Sequence, residues 1–166
     1  MAKDESFDVV SEVNMQEVDN AYQQTKKELA QRYDLKGSKA SLEFDKGNKR
    51  FVLLAPSDFV AKQVIDVLNT KLIQRKVELQ AVHWSAPEEA SGMNVRYRGE
   101  IIEGISKDLA TKISKNIRDQ KLKKIRVQVE GDKLRVFSNS RDELQEVIAF
   151  LKEQDYGQPL QYINYR

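Results

Sequence analysis

The chain contains no cysteine, and only one histidine and one tryptophan among its 166 residues. The absence of cysteine excludes disulfides, thiolate catalysis and thiolate metal sites, and it fits a reducing compartment such as the cytoplasm. The single histidine, His83, lies in a predicted strand with no nucleophile pattern near it. We therefore expect a binding protein rather than an enzyme, with no metal site and no cofactor.

Long apolar runs and a large charge excess are also missing. No segment approaches the roughly 20 apolar residues that span a membrane, and the polar, acidic start is not typical of a signal peptide. We expect a cytoplasmic protein with no membrane association. The 28 basic and 26 acidic residues give a net charge of only +2, below the strongly basic balance of proteins that coat nucleic acid without specificity.

One pattern of elements occurs twice. In each half the apolar periodicity predicts the order β-α-β-β-α-β, with hairpin signals at the sequence DKGN and at Gly131-Asp132. Side chains suited to capping helix N-termini precede the four predicted helices, at Asn14, Ser57, Ser106 and Ser140. The later parts of the halves align at an offset of 83, which places Ser57 on Ser140. An internal repeat of this length indicates two copies of one small domain.

These patterns predict an α+β protein with two tandem ferredoxin-like (βαββαβ) domains. Each domain would have an antiparallel four-stranded sheet with both helices on one face, leaving the other face bare. The first domain is predicted over residues 1–84 and the second over 93–166. Residues 85–92, SAPEEASG, are rich in Pro, Gly and Ser and are predicted to form the linker.

Arginines alternate with apolar residues in the strand NVRYRGEI, residues 94–101. Because strand side chains point alternately to opposite sides, the arginines are predicted to face away from the helices. The predicted bare face of the second domain carries four arginines and one aromatic residue: Arg96, Arg98, Arg126, Arg135 and Phe137. Arginine offers planar, forked donors to phosphate or to guanine, and an aromatic ring can stack on a base. The alternative is that Glu100 and Glu130 neutralise the arginines, which then simply cover the sheet.

Two further surfaces are predicted from the same alternation. Lys121, Lys123 and Lys124 form a basic loop beside the arginine face, which either contacts phosphates or is solvated. The bare face of the first domain is predicted to be apolar and to serve for packing; its residues are Val10, Val52, Leu54, Val82 and Trp84.

Several long strings resemble the YajQ family of bacterial proteins: SFDVVSEVNMQEVDNAY, KKELAQRYDLKGSKASLEF, VIDVLNTKLIQRKV, GEIIEGISKDLATKISKNIRD and LQYINYR. The resemblance covers the whole chain. It implies a cytoplasmic protein with two ferredoxin-like domains that binds nucleotide or nucleic acid, with cyclic di-GMP as an effector ligand of family members. It also implies a regulator rather than an enzyme, and it assigns no ligand contact to an individual position.

Two functions follow as expectations. The first is a regulatory protein whose arginine face binds a guanine nucleotide, cyclic di-GMP or GTP, and thereby alters contacts with a partner protein. The second is a module of modest specificity that binds tRNA or other RNA through the same face and the three lysines. The aromatic signature of true RNA-recognition motifs is missing from the predicted third strands, NKRFVLLA and DKLRVFSN.

Overall fold

The computed structural model describes residues 4–32 and 40–166. Four α-helices and nine strands are found in these two ranges. In chain order they are β1 (Glu5–Val10), α1 (Met15–Gln31), β2 (Ser41–Asp45), β3 (Arg50–Ala55), α2 (Asp58–Gln74), β4 (Val82–Trp84), β5 (Glu88–Ala90), β6 (Asn94–Ile101), α3 (Lys107–Asp119), β7 (Arg126–Glu130), β8 (Lys133–Ser138), α4 (Arg141–Lys152) and β9 (Gln161–Ile163).

Local signals set the helix starts as the sequence predicts. The Asn14 side chain accepts a hydrogen bond from the backbone N–H of Glu17 at 3.2 Å, which satisfies one of the unpaired donors at the start of α1. The hydroxyl groups of Ser57, Ser106 and Ser140 accept equivalent bonds at the starts of α2, α3 and α4. All four predicted caps are confirmed.

The strands form two antiparallel sheets, and the first strand of each half of the sequence, β1 or β6, pairs with strands of the other half. Sheet A has the order β7-β8-β1-β9, and sheet B has the order β2-β3-β6-β4, with β5 also pairing with β6. In register, Phe7 of β1 lies opposite Val136 of β8, and Tyr97 of β6 lies opposite Leu53 of β3. Each sheet therefore takes its first strand from the opposite half of the sequence. The predicted α+β class with two ferredoxin-like folds is confirmed, but the predicted pairing of each half's strands within that half is wrong.

The chain accordingly divides near residues 12 and 102 and not at the predicted domain boundaries, 84 and 93. One compact unit combines Met1–Glu12 with Glu103–Arg166, and we call it the split unit; the other is Val13–Ile102, the continuous unit. In the split unit the order β1-α3-β7-β8-α4-β9 is the ferredoxin-like order, with the continuous unit inserted between β1 and α3. The continuous unit is a circular permutation of the same fold. Its β6 occupies the sheet position of the fold's first strand but is the last strand of the unit in sequence.

The segment predicted as an interdomain linker is part of sheet B. Glu88 of β5 lies opposite Arg96, and Ala90 lies opposite Asn94. Gly92 has a positive φ of 73° in the turn that follows, a conformation that glycine adopts at little cost. Residues 85–92 therefore contain an edge strand and the start of its hairpin turn, in which Ser91 and Gly92 lie, rather than a linker.

Each unit has its own hydrophobic core between one sheet face and two helices. In the continuous unit, Phe51 and Leu53 of β3 are fully buried against Val64 and Leu68 of α2. In the split unit, strand residues pack with α3 and α4; its fully buried side chains include Leu134, Val136, Ile113, Leu144 and Val147. Burying one such side chain contributes about 1.5–3 kcal/mol relative to leaving it exposed.

The apolar bare face predicted for the first half does not exist as a single surface. Val10 belongs to β1 and so lies in sheet A. Val82 and Trp84 pack in the core on the helix side of sheet B. Of the five predicted residues only Val52 and Leu54 occupy the other side of sheet B, where they lie opposite Arg98 and Arg96.

Candidate functional site

The side of sheet A that faces away from α3 and α4, called here the open face, carries three cross-strand rows. The rows follow from the strand register and from the paired backbone hydrogen bonds between Ser6 and Arg166. They are Arg126–Phe137–Ser6–Arg166, Gln128–Arg135–Asp8–Ile163 and Glu130–Lys133–Val10–Gln161. Three of the five predicted ligand residues, Arg126, Arg135 and Phe137, therefore share this face.

The middle row contains a closed network of charges around Asp8. Its side chain is only 1% exposed. The Nε of Arg135 donates to Asp8 Oδ1 at 2.8 Å, and a second guanidinium nitrogen of Arg135 lies 3.4 Å from Glu130 Oε1. Lys133 Nζ is 3.7 Å from Asp8 Oδ2. Because Arg135 already binds two carboxylates, it is poorly suited to hold an incoming anion.

A strand irregularity at the C-terminus completes this network. Ile163 lies opposite Asp8, and Arg166 pairs with Ser6, so the terminal segment has one residue more than β1 between these points. The extra residue is accommodated at Asn164, which has a φ of 55°. Its Nδ2 donates to Asp8 Oδ2 at 2.8 Å. No sequence-based prediction includes Asn164; an asparagine inside a strand pattern is the available signal, since asparagine tolerates the left-handed conformation.

Opposing effects set the protonation of Asp8. Burial raises the pKa of this carboxyl group, but the hydrogen bonds from Arg135 and Asn164 and the nearby positive charges lower the pKa more. The net effect is a pKa below the ordinary value. Asp8 is thus ionised at neutral pH and serves as the counter-charge of Arg135 and Lys133.

The first row borders an open pocket of about 550 Å³, which we call the Phe137 pocket. Its walls are formed by Asp4, Glu5, Ser6, Arg126, Phe137 and Arg166. The Arg126 guanidinium lies over the Phe137 ring, 5.4 Å from the ring centroid, and forms an ion pair with Asp4. The pocket therefore combines an aromatic ring, two arginines and two carboxylates.

Glu5 is held in its ionised form by Arg141. Two guanidinium nitrogens of Arg141 donate to the two Glu5 carboxylate oxygens, at 2.9 and 3.2 Å. The hydrogen bond from Arg141 lowers the pKa of Glu5. Glu5 lies opposite Ser138 of β8, so its side chain is on the helix side of sheet A, away from the Phe137 ring.

Arg96 and Arg98 lie on β6 in sheet B, and the prediction that they flank Arg135 is wrong. Their cross-strand neighbours are Leu54 and Val52 of β3. An Arg98 guanidinium nitrogen binds Glu88 Oε1 at 3.1 Å, whereas Arg96 has no ion pair among residues 4–32 and 40–166. The four arginines are thus divided equally between two sheets. The cause is the exchange of first strands, which moves β6 away from β8.

Lys121, Lys123 and Lys124 lie between α3 and β7, as predicted, and all three are exposed. Within the described ranges none of their side-chain amines forms an ion pair. The segment leads directly into Arg126, the first residue of β7. The three lysines are therefore close in sequence to the Phe137 pocket, but they are not part of its wall.

The described residues hold neither a metal-binding cluster nor a membrane-spanning helix. No group of three or more His, Asp or Glu side chains in these ranges could hold a metal ion. None of the described helices is both long enough and apolar enough to cross a membrane.

Comparison with known proteins identifies the family. Residues 5–166 match the family model described as "Nucleotide-binding protein YajQ-like". A protein of Desulfitobacterium hafniense named "Nucleotide-binding protein" is 46% identical over 166 residues and is covered completely, as is this chain. Proteins of the same name from Endomicrobium trichonymphae and Heliobacterium modesticaldum are each 44% identical, over all of this chain and 100% and 99% of their own lengths. The chain therefore belongs to the YajQ-like family.

Proposed function

We propose that the protein is a non-enzymatic binding protein that holds a guanine nucleotide in the Phe137 pocket. The observation that carries the proposal is the Arg126 guanidinium over the Phe137 ring, with Arg166 in the same wall. The family description and the names of the relatives, which specify nucleotide binding, support the ligand class.

The residue types of the pocket fit the two parts of a nucleotide. A base stacks on an aromatic ring, and this contact contributes about 1–3 kcal/mol for each base in single-strand complexes. Arginine binds phosphate through two parallel hydrogen bonds, which a lysine cannot provide. Phe137 would carry the base, and Arg126 and Arg166 would bind phosphate.

The Asp4 carboxylate favours guanine over adenine. The Watson–Crick edge of guanine presents two adjacent N–H donors, which match the two oxygens of one carboxylate. Adenine presents one donor group beside an acceptor, and this arrangement would leave a carboxylate oxygen facing a ring nitrogen. Asp4 is the suitable acceptor, because its carboxylate lies in the pocket wall beside the Arg126 guanidinium and has about four acceptor positions.

Cyclic di-GMP is the ligand that we propose to test first. It contains two guanines and two phosphates, so it offers both chemical groups that the pocket suits. The site is smaller than the arginine face predicted from the sequence. Arg135 is bound to Asp8, and Arg96 and Arg98 belong to sheet B, so the proposal rests on Arg126, Phe137 and Arg166.

Calorimetric titration with cyclic di-GMP, GTP and ATP tests the proposal. We expect the guanine ligands to bind and ATP to bind more weakly. Phe137→Leu and Arg126→Gln should each weaken binding about tenfold, which corresponds to about 1.4 kcal/mol. Arg96→Gln is the matched control, because it removes one arginine from a sheet strand of the other unit. Unchanged affinity in both pocket variants, or loss of binding in the control, would overturn the site.

RNA is the second candidate ligand, and the observation that favours it is the run of exposed lysines beside Arg126, which have no ion pair within residues 4–32 and 40–166. A phosphate backbone that followed Lys121, Lys123 and Lys124 could continue to Arg126. RNA affinity should then fall steeply with salt concentration, with a slope of about −0.7 for each phosphate neutralised on a single strand. A flat salt dependence, or equal RNA affinity after replacement of all three lysines with glutamine, would contradict this function.

A further inference from the structure

One side of β7 is an unpaired sheet edge. Along its other side β7 pairs with β8 in five consecutive positions. In sheet A no strand of the described ranges lies beyond β7. Backbone N–H and C=O groups at such an edge can pair with an added strand.

A groove of about 520 Å³ runs between this edge and α3, and we call it the α3–β7 groove. Its helix wall includes Ser114 and Arg118, one turn apart, and its other residues include Leu122, Ile125, Val127 and Val129. Val127 and Val129 point to the helix side, because they lie opposite the core residues Val136 and Leu134. Val129 is nevertheless 50% exposed. The groove thus offers an exposed apolar strip directly beside unpaired backbone.

The rim of the groove is basic. Between Arg118 and Arg126 the sequence RDQKLKKIR contains five basic residues and one acidic residue, Asp119. Arg118 and Arg126 both line the groove, and the side chains of Arg118 and the three lysines have no ion-pair partner in the described part of the chain. This charge is complementary to an acidic ligand and would oppose pairing of two β7 edges from two copies of this chain.

The groove differs from a nucleic-acid surface in one respect. None of its lining residues is aromatic, so it has no ring on which a base could stack. Its aliphatic strip and its strand edge instead match an extended peptide, which gains affinity from main-chain hydrogen bonds and specificity from alternate side chains.

We propose that the α3–β7 groove binds an extended segment of a partner protein in which acidic and aliphatic residues alternate. The segment adds to sheet A as a strand beside β7. Its aliphatic side chains point to the helix side and cover Val127 and Val129, and its alternate carboxylates point to the other side, toward Arg126. Arg118 and the neighbouring lysines attract the acidic segment at longer range. Because Arg126 also lines the Phe137 pocket, the segment shares this one side chain with the nucleotide proposed there, whereas Phe137 and Arg166 belong to that pocket alone.

The test uses the full chain and a fluorescein-labelled heptapeptide of alternating glutamate and valine. Fluorescence polarisation should show binding of this peptide and weaker binding of the lysine–valine peptide of the same pattern. The double variant Arg118→Glu/Lys123→Glu should weaken binding at least about tenfold, since like charges across an interface are strongly unfavourable. The control Lys107→Glu/Lys115→Glu has the same change in net charge on exposed residues of α3 outside the groove, and it should keep wild-type affinity.

Backbone hydrogen exchange separates strand addition from simple charge attraction. With the acidic peptide bound, amide exchange within residues 126–130 should slow, and Phe137→Leu should leave peptide affinity unchanged. Equal binding of both peptides, equal loss in the control variant, or no slowing within residues 126–130 would overturn the proposal. Tighter binding of a uridine heptanucleotide to the same basic residues would also overturn it, in favour of RNA.

Discussion

The Nε of Arg135 lies 2.8 Å from Oδ1 of Asp8, and this pair joins β8 to β1, its neighbour in sheet A. The buried Asp8 carboxylate is surrounded by the guanidinium of Arg135, the amide of Asn164 and the ammonium group of Lys133. Removing the carboxylate would leave all three groups without their common acceptor. Loss of either member of the pair would therefore leave a charge on this face without its counter-charge.

Replacing Asp8 with asparagine should destabilise the protein by about 3–5 kcal/mol, because it leaves Arg135 and Lys133 near each other without their shared counter-charge. Urea unfolding followed by circular dichroism measures this change. Glu146→Gln is the control, since Glu146 is exposed on α4 of the same unit and has no ion pair in the described structure. A difference below about 0.5 kcal/mol between the two variants would contradict the assigned role of Asp8, because this is the ordinary range for surface substitutions.

The stability should depend on pH in the acid range. The pKa of Asp8 is lowered in the folded state, while the unfolded chain has an ordinary value near 3.9. The contribution of Asp8 is therefore fully present above about pH 4, and it is lost as the pH falls from there through the lower folded pKa. Melting temperatures between pH 2 and 7 should fall less steeply for Asp8→Asn than for the wild type. Parallel profiles would show that Asp8 does not carry this dependence.

Substitution of Gly99 with alanine should destabilise the continuous unit by about 1–3 kcal/mol through overpacking. A Cβ atom at this position would lie 2.9 Å from Cζ3 of Trp84, and this ring is also packed against Phe51. Gly47→Ala is the matched control, since its Cβ would meet only Asp45 Oδ1 at 3.6 Å. Trp84 is the only tryptophan, so its fluorescence reports both unfolding and any shift of the ring. Equal stability of the two variants would refute the close contact.

The division of the chain can be tested by excision. Residues 13–102 should fold alone, and residues 1–12 joined to 103–166 by a short Gly-Ser linker should fold as the split unit. The two ends to be joined are adjacent, because the N–H of Gly104 donates to the carbonyl of Ser11 at 2.6 Å. Fragments 1–84 and 93–166 serve as the comparison. Each of them lacks a strand of its sheet, so neither should show cooperative unfolding; a cooperative transition in both would contradict the exchange of strands.

Much of the fold could be predicted from local patterns, but the partners of β1 and β6 could not. The cap at Asn14 and the hairpin at residues 45–48 depend on neighbouring residues, so the sequence alone indicates them. Phe7 and Val9 alternate in the same way as Val95 and Tyr97, so the alternation fits either strand to either sheet. Strand alternation defines which face is buried, not which strand lies beside it. In the exchange, β1 pairs within the split unit although the next element in sequence, α1, belongs to the continuous unit. No residue pattern indicates which sheet β1 or β6 joins.

The unknown partners of β1 and β6 also limit how much of the candidate site the sequence predicts. Arg126, Arg135 and Phe137 lie on strands that are neighbours by a short hairpin, so their common face followed from the sequence. Grouping Arg96 and Arg98 with them required the pairing of β6 with β8, which does not occur. Asp8 belongs to the first half of the sequence, so strand alternation alone does not identify it as the partner of Arg135.

The placement of β1 also affects how the protein is made. A ribosome that adds about 5–20 residues per second completes β8 roughly 6–25 s after β1, since Phe7 pairs with Val136. During this delay the continuous unit can fold, while the apolar strand β1 has no sheet to join. Phe7, Val9 and Val10 are then exposed on the nascent chain. A chaperone that binds short apolar segments would therefore have a target in β1 during this delay.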